Sequence, residues 1–464
     1  MSSPSRLAVI AVTLLGMSGP LRAEGPADRV RDYILSRTNA AAAHAHLPSF
    51  ARQTGLACSA CHYQFLTLTP FGRDFKLNGY TLTRQQLIEE QDSTKGATLK
   101  LSPLPLVAVM LTAGITHLKD PLPDTQNDAA ALPQEMSLFL AGEISSKIGI
   151  FSQLTYSGAD GSVGIDNVDV RFANKASLGG DKEMVYGLTL NNSPTVQDLW
   201  NTTPVWGFPF VGSELTPGSV ASPLIDEGLA QQSLGLGAYT MLGGLVYAEF
   251  TVYRSAFQGQ AAPDANSGAL SGVAPYWRLA LQKNWEHQSV MVGTYGLHAK
   301  EWNPGTLTGP TDRFTDIGID AQVETSVGHG NLVGRGTWIH EKQTLDATFG
   351  AGESANPENT LKTFKVNASY YPLQQVGFTA GYFQTTGTVD PIRYGPAEVE
   401  GSASGDPKTN GFIGEVDFNP WQNTRLGLQY TAYDKFNGGK DNYDGFGRRA
   451  SGNNTLYLLA WLVF

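Results

Sequence analysis

Thr363-Phe364-Lys365-Val366-Asn367-Ala368-Ser369-Tyr370 alternates polar and apolar side chains without a break. Period two marks a strand whose two faces meet different surroundings. The pattern returns in Asn167-Val168-Asp169-Val170-Arg171-Phe172. It returns again where Ile317, Ile319, Ala321 and Val323 alternate with Asp316, Asp320, Gln322 and Glu324. Leu426, Leu428, Tyr430 and Ala432 likewise alternate with Arg425, Gln429 and Thr431. At the end of the chain Leu456, Leu458, Ala460, Leu462 and Phe464 share one face. About sixteen such segments begin, near residues 101, 136, 150, 163, 184, 232, 245, 275, 289, 314, 331, 360, 377, 410, 425 and 454; bacterial outer-membrane barrels have an even number.

The connections alternate in length. Short ones fall near residues 149, 242, 286, 328, 374 and 421. Long ones cover 118–134, 192–231, 255–273, 299–312, 346–358, 387–408 and 436–452. Two places depart from this: Ser157 to Ser162 is short, and 174–183 is long for a turn. Short turns on one side and long loops on the other fit a barrel with periplasmic turns and external loops. A soluble β-sandwich, the competing reading, has no cause to alternate in this way. Charged residues make up only 16% of the chain, and there are 52 Gly. The expected fold is therefore all-β over 99–464, a transmembrane antiparallel β-barrel of about sixteen strands in contact with outer-membrane lipid. Trp285 and Trp421 fall at predicted short turns, where an aromatic girdle belongs. The net charge of −10 argues against nucleic acid as a partner.

The N-terminus reads as a signal peptide over 1–23. Arg6 supplies the charge, Leu7 to Met17 the apolar stretch, and Leu21-Arg22-Ala23 the cleavage site. The apolar stretch is too short to span a bilayer.

Between these parts lies Cys58-Ser59-Ala60-Cys61-His62, the attachment signature of one covalent c-type haem. The thiols bond the haem, and His62 becomes the proximal iron ligand. These are the only two cysteines in the chain. A zinc site wants a second pair of ligands, and a thioredoxin-like pair wants a βαβ unit. Residues 24–98 are read as a small, mainly α cytochrome domain. One helix is predicted over 28–38. Another is predicted after the capping box Thr83-Arg84-Gln85-Gln86, leading into Leu87 and Ile88. His46 or His44 is the candidate distal ligand, with an open position as the alternative; Met110 and His117 are the next nearest. Arg52, Arg73 and Lys76 are candidate partners of the haem propionates, or else ordinary surface charges. His298 reads as a lumen-facing histidine or else as an ordinary polar strand residue. Asp120, Asp124, Asp390, Glu398, Glu400, Asp406, Asp441 and Asp444, on the long loops, are candidate iron-binding carboxylates, or else ordinary charges of solvated loops.

Pro48-Ser49-Phe50-Ala51-Arg52-Gln53-Thr54-Gly55, then Cys58, Cys61 and His62, then Phe71-Gly72-Arg73 and Lys76-Leu77-Asn78-Gly79-Tyr80 resemble the fused monohaem cytochrome c–porins of bacterial outer membranes. The close match covers 48 to about 82; the barrel matches in architecture alone. The resemblance implies electron transfer from an extracellular donor such as Fe(II) to a periplasmic electron-carrier cytochrome, an Fe(II):cytochrome c oxidoreductase. Because a hydrocarbon core is about 30 Å thick and a haem wholly in the periplasm could not reach an outside donor, the haem domain is expected on the periplasmic side of the barrel or inside its lumen. Two other classes compete: a small-solute porin with a haem sensor or gate, and a haem enzyme such as a peroxidase, which needs a positioned acid–base residue.

Overall fold

The computed structural model describes residues 48–83, 88–92, 96–101, 105–159, 161–180, 182–256 and 268–464. The signal peptide, the helix predicted over 28–38, His44 and His46 lie outside the described residues.

Sixteen antiparallel strands close into a barrel. They are Val107–Leu118 (β1), Ala130–Ser145 (β2), Ile148–Ser157 (β3), Ser162–Gly179 (β4), Lys182–Asn191 (β5), Ser233–Leu242 (β6), Val246–Ser255 (β7) and Ala274–Asn284 (β8). The second half comprises Gln288–Trp302 (β9), Thr311–Val327 (β10), Gly330–Thr344 (β11), Glu358–Leu373 (β12), Val376–Gly387 (β13), Thr409–Trp421 (β14), Thr424–Lys435 (β15) and Thr455–Val463 (β16). A two-residue piece, Ala269–Leu270, pairs with Trp302 and Glu301 beyond the end of β8, so it extends that stave. β16 closes on β1, with Val463 opposite Met110 and Leu456 opposite His117.

From β3 onward each strand starts within about three residues of its expected position, because alternation is a local signal. The first two differ. Gly96–Leu101 pairs with Ile88–Asp92 as a separate hairpin, so the barrel begins at Val107. The helix predicted into Ile88 is a strand there. A short helix is marginal by itself, and the alternating Gly96–Leu101 segment offers it a ladder partner. β2 begins at Ala130, passing Pro133, which as a strand breaker reads like a loop residue. A register shift opposite, between Thr112 and Gly114, accommodates it. β4 runs to Gly179, so the apparently long connection over 174–183 is mostly strand.

The outer wall is apolar. Leu188, Leu236, Leu281, Ile319, Phe412 and Leu458 are exposed on it, Leu236 by 62% and Phe412 by 61%. Trp285 and Trp421 stand exposed at the short-turn rim. This is the exterior of a barrel that sits in hydrocarbon. The inner wall is polar, and much of it is buried: Arg171, Arg278, Asp316, Asp320, Glu341 and Arg425 are out of solvent.

Among the described residues, the filling comes from two segments. One is the 192–231 connection, which was expected to lie outside and instead folds into the lumen. Its Asp198 pairs with Arg278 at 3.1 Å, and its Thr202 donates to Asp320 at 2.5 Å. Trp200 Nε1 donates to Gln282 at 3.0 Å. Inner-wall charges that would otherwise meet water find protein partners. The other is the segment that carries the two cysteines. His298 is also corrected: Met291, Tyr295 and Leu297 face inward, and His298 faces out, with its Nδ1 2.9 Å from Thr315 Oγ1. The apolar face of β9 is the inner one here because it packs against the buried loop.

Candidate functional site

Residues 48–80 lie inside the short-turn end of the barrel. Three short helices, Ser49–Thr54 (α1), Cys58–Cys61 (α2) and Pro70–Leu77 (α3), frame a small hairpin of His62–Gln64 with Thr67–Leu68. The sequence sets each boundary. Gly55 takes the left-handed conformation that ends α1. Thr69 caps α3, accepting from Gly72 N at 3.2 Å, and Pro70 follows at the first helical position. Gly79 then adopts φ +67°. Tyr80 N donates to Phe75 O at 3.0 Å and Gly79 N to Lys76 O at 3.1 Å, a Schellman end.

These termini hold the segment against the wall. Ser49 Oγ and Gln53 Nε2 donate to the Ala141 carbonyl of β2 at 2.5 and 3.0 Å. Phe50, Phe75 and Tyr80 cluster, with Phe50 stacked on Tyr80 at 5.6 Å. The Tyr80 hydroxyl donates to Asp169 at 2.8 Å. The Cys58 amide donates to Gln422 Oε1, in the turn between β14 and β15, at 3.0 Å.

The single turn of α2 brings its first and fourth residues to one side of the helix, and those residues are Cys58 and Cys61. Both thiols are free and half-buried. Burial pushes the Cys61 thiol up to about 11, aided by Cys58 beside it. Reactive Cys-x-x-Cys pairs show the opposite shift. His62 follows directly. Burial lowers it to about 4, so the imidazole is neutral and free to ligate at neutral pH. Its Nδ1 is buried without a hydrogen-bond partner among the described residues. Phe65 lies 5.5 Å from the His62 ring and 5.5 Å from Trp461. Tyr63 stacks on Tyr371 at 5.9 Å. Two free thiols on one turn, a neutral histidine after them and an aromatic surround fit a covalent haem.

The other predicted site residues are already engaged. Arg73 donates to both oxygens of Glu324 on β10, the second at 3.0 Å, with each side chain 4% exposed. Lys76 Nζ donates to the carbonyls of Val196 and Asp198 at 2.8 and 2.6 Å. Burial, with Arg171 beside it, pushes Lys76 down to about 7. Arg52 donates to Pro105 O at 3.0 Å and to Val107 O. All three tie the segment to the barrel. Met110 packs with Trp461, Val463, Phe65 and Leu66 near the same end. His117 sits at the far end of β1, 52% exposed and 2.7 Å from Asp128.

Among the loop carboxylates, Asp390 and Asp444 are buried and organise their loops. Asp390 accepts from Arg393 N, Ala355 N, Ser354 and Asn359. Asp444 accepts from Phe446 N, Arg448 N and Val399 N. Among the described residues, no group of three or more His, Cys, Asp or Glu is arranged to hold a metal ion. The sequence reading assigned no role to Gln322 and Arg335, which lie beside Glu324 on the inner wall. Their only sequence signal is a place on the polar face of a strand.

No protein-family model and no curated protein matches the chain. Solved structures similar to it include an anion-selective porin from Comamonas acidovorans, at 13% identity and TM-score 0.46, covering 77% of this chain and 98% of that one. OmpF of Salmonella typhi is similar at 10% identity and TM-score 0.45, over 77% and 97%. OmpT of Vibrio cholerae is similar at 12% identity and TM-score 0.43, over 77% and 98%. At these values the barrel assignment rests on the strand pairing of this chain itself.

Proposed function

We propose that this chain is an outer-membrane electron-transfer protein. Cys58 and Cys61 would hold one haem covalently, and His62 would ligate its iron. When bound, the haem supplies one-electron transfer at a potential set by its axial ligands and burial. The observation that carries the reading is the position of the Cys58–His62 turn, inside the short-turn mouth of a barrel largely filled by its own chain. A hydrocarbon core is about 30 Å thick. A haem in the lumen shortens the gap between the two aqueous phases, and a filled barrel keeps solutes from following the electrons.

The short-turn mouth faces the periplasm by the usual barrel orientation, so a periplasmic cytochrome is the proposed acceptor. Soluble extracellular Fe(II) is the proposed donor, on the family resemblance. A small-solute porin remains the second reading. One observation favours it, a cavity of about 510 Å³ between the inward loop and β11–β15.

The test begins with covalent haem. Haem stain should persist through denaturing electrophoresis and vanish in the Cys58→Ser, Cys61→Ser double variant. Retention of stain by that variant defeats the attachment. Fe(II) added to the purified oxidised holoprotein should reduce the haem, and His62→Ala should remove that response. A haem that Fe(II) never reduces, at any pH the protein survives, removes iron as donor and leaves the attachment standing.

A further inference from the structure

Arg335 on β11 faces the lumen and is 4% exposed. Its Nε donates to Gln322 Oε1, directly across the strand pair, at 2.9 Å. Both of its terminal nitrogens, Nη1 and Nη2, are buried without a hydrogen-bond partner among the described residues. On the next strand Asn367 stands opposite Arg335, and its Nδ2 is likewise buried without a partner among the described residues. Both side chains line the 510 Å³ cavity, a volume typical of small-ligand sites. The Phe210 ring flanks the guanidinium at 5.9 Å.

The local charges do not satisfy Arg335. Glu324, which accepts from Gln322 Nε2 at 2.7 Å, is held on both oxygens by Arg73. The other charges on the cavity wall, Lys365 and Asp226, pair with each other at 2.8 Å. A guanidinium remains protonated throughout the pH range of a folded protein, and a buried one without a counter-charge is costly. Its planar fork matches the two oxygens of a carboxylate.

We propose that Arg335 and Asn367 form a carboxylate-binding subsite, in which one oxyanion accepts from Nη1, Nη2 and Nδ2. Two sources could supply that group, a haem propionate or a free small carboxylate. The neighbourhood favours the propionate. The hairpin after His62 adjoins the cavity: the Leu66 carbonyl accepts from Asn201 Nδ2, and Asn201 lines the cavity. Tyr63 stacks on Tyr371, which shares the inner face of β12 with Asn367. The choice of propionate rests on the haem reading above; the subsite itself does not.

The probe is sodium propionate, titrated calorimetrically into the full chain. The Cys58→Ser, Cys61→Ser chain, lacking covalent haem, should bind it saturably at one site. Adding Arg335→Gln should weaken binding by about tenfold or more, and Arg335→Lys, which keeps the charge without the fork, by less. The haem-loaded chain should not bind it, because its own propionate is in place. There Arg335→Gln should lower the midpoint potential, since an uncompensated carboxylate favours the ferric state. Heat-modifiable gel mobility confirms that each barrel is closed. No saturable binding by the haem-free chain, together with an unchanged potential, overturns the subsite. Equal binding by haem-free and haem-loaded chains makes the occupant a free carboxylate and overturns the propionate. A wild-type chain without haem stain defeats the haem reading, while the haem-free titration still judges the subsite.

Discussion

At the scale of single residues, the run Phe71-Gly72-Arg73 is a device for holding the cysteine turn. Thr69 donates its hydroxyl to the Ala60 carbonyl at 2.7 Å, and its amide donates to Cys61 O at 2.9 Å. Gly72 lies directly against that same Cys61 carbonyl, so that an added Cβ would fall inside contact distance of backbone. Backbone cannot swing aside as a side chain can. Gly72→Ala should therefore cost about 1–3 kcal/mol and reduce haem occupancy by shifting Cys61 and His62. Gly334→Ala is the control, because a Cβ there meets nothing within 4 Å. Haem absorbance per protein and thermal unfolding of both variants check this; equal loss in the two would remove the special role of Gly72. The glycine was legible as part of a motif. Its contact with Cys61 was not, because that contact depends on α3 folding back onto α2.

At the scale of elements, the external loops over 388–408 and 436–454 are ordered by buried carboxylates. Burial alone would raise the Asp390 carboxyl, but hydrogen bonds from Arg393 N, Ser354, Ala355 N and Asn359 outweigh it and hold the group well below the usual carboxylate range. A group whose folded pKa is depressed contributes stability above its unfolded pKa, about 3.9, and that stability is lost as pH falls through the folded value. Protease nicking of 388–408 should stay slow in wild type down to about pH 4 and accelerate progressively as the pH falls further towards the folded value. In Asp390→Asn it should already be faster at neutral pH, by the about 1–3 kcal/mol that a lost set of buried bonds costs. Nicking that accelerates in wild type near pH 5 would show that Asp390 does not hold the loop. The length of this connection was readable from spacing. Its compactness was not, since it depends on Asp390 reaching Ser354 and Asn359, over thirty positions away.

For the molecule as a whole, the filled interior sets the transport behaviour. Sixteen-strand barrels are wide enough for an aqueous channel, yet the inward loop and the cysteine segment place Arg171, Arg278, Asp320 and Arg425 out of water. Purified protein in planar bilayers should pass little ionic current. Deleting 193–231 should raise conductance several-fold, because the partners of Arg278 and Asp320 leave with it. A steady, large ohmic conductance from the intact chain would favour the porin reading over the conduit.

The sequence alone determined the strand count and the two-faced alternation of the strands, and it carries the run from Cys58 to His62. Each is encoded locally: period-two alternation over Thr363 to Tyr370, loop-length alternation, and five contiguous residues from Cys58 to His62. Tertiary structure alone decided what fills the barrel and which cations are spent. Arg73, Lys76 and Arg335 are all cations on segments that enter or line the lumen. Arg73 meets Glu324, Lys76 meets two loop carbonyls, and Arg335 retains two donors without partners. Those outcomes turn on contacts between residues tens to hundreds of positions apart, such as Arg73 and Glu324. Charge pairing depends on distance in space, and no local pattern in the chain carries that distance.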